Sequence, residues 1–135
     1  MAEPAGLERA ARQAARRVAQ LLAAWNAHRL DGDAAEVRRY RVSEKKSEAL
    51  VVEIGGLGDG RYRARVGDLE PLLDVAAPDL AAVSVLVDAA QFEAVIREVK
   101  PGRCDIGVAG HWFRLDTAAA DPAGDDSNPS GAQRP

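Results

Sequence analysis

The chain has 135 residues, a formal net charge of -3, 47% apolar side chains and only 4% aromatic ones. That length suits one ordinary domain with one core and leaves no room for a second. The core has to be built from Val, Leu, Ile and Ala. No apolar run approaches the ~20 residues that cross a bilayer, the opening MAEPAGLERAARQ lacks a signal peptide's apolar segment, and the single cysteine, Cys104, has no internal partner. A cytoplasmic protein without membrane contact is the expectation, since a reducing compartment suits a lone thiol.

The charge is unevenly distributed. Residues 1–66 carry 13 basic and 9 acidic side chains, and residues 67–135 carry 5 and 12, so the halves stand at +4 and -7. Such a split orients a molecule on a partner through its field and says nothing about fold.

From Leu7 to about Arg29, apolar residues at Leu7, Ala11, Ala14, Val18, Leu21 and Trp25 alternate spacings of four and three, the seam of an amphipathic helix. Asp31-Gly32-Asp33 ends it, because glycine reaches the left-handed C-cap conformation without a Cβ penalty. Strand candidates follow at 37–43, 49–54 and 61–66, separated by SEKKSE and GGLGDG, both read as hairpin connections. The third is the clearest: Tyr62, Ala64 and Val66 alternate with Arg61, Arg63 and Arg65, which buries one face and displays three guanidinium groups on the other.

Residues 68–77 read as a short helix or turn capped by Asp68, with Pro71 in its first turn, and Pro78 stops it. The run 82–87 reads as a strand buried on both faces or nearly so. Asp88 and Gln91 then have capping-box spacing, and Phe92, Val95, Ile96 and Val99 form an apolar stripe, predicting a second helix up to Lys100-Pro101-Gly102. Strand candidates at 104–109 and 112–115 meet at Gly110-His111. The expected fold is therefore α+β: a long N-terminal amphipathic helix, an antiparallel sheet, and a second helix on that sheet. It spans residues 1–116, with 117–135 a disordered tail of small, polar and breaker residues.

Chemistry-bearing residues are few. GGLGDG at 55–60 is followed by a strand, not by the helix N-terminus that a phosphate cradle needs, so it is read as a hairpin loop. Cys104, Asp105, His111 and Asp116 lie within thirteen positions and offer a nucleophile, a base and an orienting group. The alternation nevertheless puts Cys104 on the buried face with Ile106 and Val108, and Asp105 on the other. His28, His111 and Cys104 include no closely spaced ligand pair, so neither a metal nor a cofactor is expected. His28 is placed at the helix end, where a charged imidazole suits the dipole. Arg39, Arg41, Arg61, Arg63 and Arg65 form a basic sheet face if the first and third strands are close, and are the candidate contacts to a partner or to nucleic acid.

The segment VSVLVDAAQFEAVIREVKPGRCDIGVAGHWFRLDTAAADP, residues 83–122, resembles the second half of a domain of the bacterial DNA polymerase sliding clamps. Gly110-His111-Trp112-Phe113-Arg114-Leu115 and Asp121-Pro122 occupy the places of that family's hairpin element and exit. The resemblance implies association with DNA replication or repair proteins. A second resemblance is to the sterol carrier protein-2 fold, which places a strand like 83–87 before a helix like 88–99 and implies an apolar ligand tunnel. The leading reading is a non-catalytic binding module with a protein partner. Direct nucleic-acid contact is the less favoured reading, because no aromatic side chains accompany the arginines as a stacking platform. An apolar-ligand carrier is the alternative, an enzyme using Cys104 or His111 the weaker one, and oligomeric state stays open.

Overall fold

A computed structural model describes residues 4–31, 33–45 and 49–120. The described residues form one helix, α1 (Pro4–Leu30), and eight strands: β1 (Arg38–Ser43), β2 (Leu50–Gly58), β3 (Arg61–Arg65), β4 (Leu72–Asp79), β5 (Ala82–Val87), β6 (Ala90–Lys100), β7 (Arg103–Val108) and β8 (His111–Ala119). Each strand pairs antiparallel with the next, and β8 returns to β1 through Tyr40↔Ala119 and Val42↔Thr117, closing a barrel. Closure leaves no free sheet edge.

The strands alternate as a pleat requires. Tyr40, Val42, Val52, Ile54, Ala64, Leu73, Val75, Val83, Val85, Ala94, Ile96, Cys104, Ile106, Phe113 and Leu115 are buried and belong to one core cluster with α1. A helix normally buries one stripe. Residues 21–26 of α1 are instead buried on every face, whereas residues 6–14 are exposed all round. The helix therefore enters one mouth of the barrel at about Ala15 and its second half occupies the lumen, closest to β1, β2, β7 and β8. Ala15, Ala19 and Ala23, spaced by four, make that approach sterically feasible. At the entry mouth the guanidiniums of Arg12 and Arg16 lie 5.0 and 5.3 Å from the ring centroid of Phe113, and Arg16 pairs with Glu44 at 2.9 Å.

Several expectations are corrected. The fold is not α+β with a second helix on the sheet; it is a closed antiparallel barrel around one helix. Residues 68–77 are not helical, because Leu72–Asp79 is β4. The helix expected over 88–99, which both family resemblances place there, is β6. Asp88 and Ala89 both take positive φ, 50° and 78°, the two-residue turn whose twist suits a tight hairpin, and pairing begins directly at Val87↔Ala90. Residues 82–87 are buried on one face only, Val83 and Val85 pointing in and Leu86 out. β8 runs to Ala119, past the boundary drawn at 117; the remainder of the expected tail, 121–135, lies outside the described residues, as do 46–48 of the first connection. Among the described residues no helix is long and apolar enough to cross a membrane.

Candidate functional site

The barrel brings the five candidate arginines onto one outer surface. In β1 the inward Tyr40 and Val42 send Arg39 and Arg41 outward, and in β3 the inward Ala64 sends Arg61, Arg63 and Arg65 outward. β2 lies between them and contributes a single outward carboxylate, Glu53, in register with both Arg39 and Arg65. It sits 3.6 Å from Arg39 and 3.8 Å from Arg65, and Arg65 also reaches Glu70 at 3.7 Å. Arg41 instead stands opposite Val51, and Arg63 opposite Gly55. Among the described residues, Arg41, Arg61 and Arg63 make no ion pair.

Beside this face lies an open hollow of about 320 Å³, lined by Val37, Gly55, Gly56, Leu57, Arg63 and Glu70 among others. Its floor depends on the two glycines. A β-carbon at Gly56 would stand 2.4 Å from the Ala34 carbonyl oxygen, and one at Gly55 would meet Val37 Cγ2 at 2.8 Å. The Gly56 N–H donates to that same carbonyl at 2.7 Å, so the segment leading out of α1 is laid down along β2.

At the far end of the lumen, where α1 leaves the barrel, buried polar groups collect. Asn26 is 3% exposed; its amide donates to Glu98 Oε2 at 3.1 Å and to Cys104 Sγ at 3.6 Å, and its Oδ1 accepts from Arg29 at 2.7 Å. The Tyr40 hydroxyl donates to the Asp31 carboxylate. Burial first, and then that carboxylate, push the phenol's pKa up. His28 lies in the last turn of α1, at the helix end as expected, but it does not face solvent there. It is fully buried, with Nε2 2.7 Å from the Glu36 carbonyl oxygen, Nδ1 without a partner among the described residues, and its ring edge-on to Tyr40 and Tyr62.

The nucleophile-and-base group suggested by residues 104–116 is not brought together. Cys104 lies inside at the start of β7, in register with Leu115, whereas His111 pairs with Val108 at the opposite end of the hairpin. Asp105 points outward and is held by Arg114 through two bonds of 2.7 and 2.9 Å, which also lower its pKa. Asp116 accepts from Arg103 at 2.7 Å. Burial, and then the Glu98 charge, raise the Cys104 thiol pKa, the opposite of what activates a thiol. Among the described residues no group of three His, Cys, Asp or Glu side chains is arranged to hold a metal.

Reasoning from the sequence missed the lumenal site of α1 and the polar cluster around Asn26. The available signal was the run QLLAAWNAH, apolar almost all round for two turns, which a helix lying on an open sheet does not need. No protein-family model matches this chain, and no curated protein is similar to it in sequence.

Proposed function

We propose that this chain is a non-catalytic interaction module that takes an acidic protein segment on the outer face of β1–β3. The observation that carries this reading is that, on a five-arginine face, Arg41, Arg61 and Arg63 make no ion pair among the described residues, although Arg61 has Asp74 of β4 opposite it, in a chain whose net charge is -3. Guanidinium groups standing opposite Val51 and Gly55 present their donor forks outward, where a partner's carboxylates supply the charge-assisted bonds that the sheet does not. A protein segment is favoured over nucleic acid because the outer face of these strands carries no aromatic side chain on which a base would stack.

An apolar-ligand carrier needs an enclosed cavity. Leu21, Leu22 and Trp25 fill that space here, so a carrier role would require α1 to leave the lumen. The test is fluorescence anisotropy with labelled poly-L-glutamate and with duplex DNA over a salt series. Polyglutamate binding that weakens with salt, and is lost in the Arg41→Gln/Arg61→Gln/Arg63→Gln variant, is expected. Absence of binding at low salt, or binding indifferent to the triple substitution, would remove the reading; a clear preference for duplex DNA would replace it with nucleic-acid recognition.

A further inference from the structure

The described residues end at Ala120, beside the arginine face. β8 pairs antiparallel with β1 through Tyr40↔Ala119, and the Ala120 N–H donates to the Arg39 carbonyl oxygen at 2.9 Å. Arg39 is level with Glu53 of β2 and so with Arg65 of β3, whereas Gly55 is level with Arg63. The C-terminal end of β8 therefore points toward the end of the barrel at which β3 begins, with Arg61 and Arg63.

Two adjoining hollows lead from Ala120 to Arg63. One, open and of about 400 Å³, is lined by Ala119, Ala120, Arg39, Val37 and Glu53 among others; it shares Val37 and Glu53 with the hollow of about 320 Å³ that reaches Gly55 and Arg63. The carboxylates along them are engaged. Glu36 pairs with Arg38 at 2.8 Å, Asp31 accepts from the Tyr40 hydroxyl, Glu53 lies between Arg39 and Arg65, and Glu70 pairs with Arg65. Arg63, opposite a glycine on β2, makes no ion pair among the described residues.

The sequence that follows Ala120 is acidic: Asp121-Pro122-Ala123-Gly124-Asp125-Asp126 holds three carboxylates and no basic side chain. Arg63 stands three strand spacings from β8 and two residues along, about 16 Å from Ala120. Asp125 and Asp126 follow Ala120 by five and six residues, and extended chain covers about 3.3–3.6 Å per residue, so both carboxylates reach that guanidinium. We propose that residues 121–126 occupy the two hollows, with Asp125 and Asp126 on Arg63, so that the chain's own acidic segment is the first occupant of the arginine face. The inference rests on the reading of that face as a site for acidic protein segments, and it names one such segment. A short tether holds it near Arg63 at an effective concentration in the millimolar range, and a separate acidic partner has to displace it.

The test is polyglutamate anisotropy on the full chain carrying Asp121→Asn/Asp125→Asn/Asp126→Asn. At low salt the variant should bind about fivefold more tightly than the parent, the effect of two exposed ion pairs released, and the gain should fade as salt is raised. In an Arg63→Gln background the same triple substitution should change affinity by less than about twofold, a double-mutant cycle that separates occupancy of Arg63 from the mere loss of three negative charges. Thermal unfolding checks that each variant is folded, and Arg63→Ala serves where Arg63→Gln is not. Equal affinity of parent and triple variant at low salt, or an equal gain with and without Arg63, would overturn the inference while the arginine face stands. If neither the parent nor the triple variant binds polyglutamate, the reading of the arginine face falls and the inference with it.

Discussion

The indole of Trp112 lies flat across Gly107, its cross-strand partner on the outer face, so closely that a β-carbon on Gly107 would stand 2.8 Å from Cε2. The ring occupies the space that a side chain on β7 would otherwise fill, and the Arg97 guanidinium covers it at 5.3 Å. Glycine weakens a strand by leaving nothing to pack; here its neighbour supplies the missing contact.

Gly107→Ala should therefore destabilise the barrel by about 1–3 kcal/mol, as overpacking does. In a Trp112→Ala background the same change should cost far less, because the obstructing ring is gone. A double-mutant cycle by urea unfolding measures the difference. Equal costs in both backgrounds would mean that the indole yields freely.

Position along α1 decides what a leucine contributes. Leu22 is fully buried in the lumen, whereas Leu7, on the projecting half, is 66% exposed. Leu22→Ala should cost about 2–5 kcal/mol in a denaturant titration, through lost burial and the cavity left behind. Leu7→Ala should stay within about 0.5 kcal/mol of the parent, as exposed sites do. Similar losses at the two sites would contradict the placement of the helix.

The Cys104 thiol, raised by burial and then by the Glu98 charge, makes stability depend on alkaline pH in a defined direction. Its native pKa lies above its unfolded one, so its contribution is fully present below the unfolded thiol pKa. As pH rises past that value the unfolded state ionises first, and the contribution is lost progressively up to the native pKa. Cys104→Ala should flatten the alkaline limb of a stability profile. Modification by a disulfide reagent at mildly alkaline pH should be slow in the native chain and fast in urea. Rapid native labelling would show that the thiol is neither buried nor suppressed.

Local sequence determined those elements whose pattern has one reading. The alternation of arginine with apolar residues at 61–66 belongs to a pleated strand in any context, and the four-three spacing of 7–25 belongs to a helix; both stand as β3 and α1. Because pleating alone sends Arg61, Arg63 and Arg65 to one side, their shared face was legible too. Residues 88–99 have two readings. Phe92, Val95, Ile96 and Val99 fit a helical stripe, yet Ala94 and Ile96 also fit the inner side of a strand, and the choice fell to β5 and β7, which pair with this segment on both sides. Backbone hydrogen bonds to two neighbours outweigh a short helix's weak local preference. Tertiary structure likewise decided that α1 is enclosed, since a helix apolar on all faces needs a closed wall and only the β1–β8 pairing provides one. It also separated His111 from Cys104, near in sequence and at opposite ends of one hairpin, because an antiparallel turn sets residues beside each other by register and not by closeness along the chain.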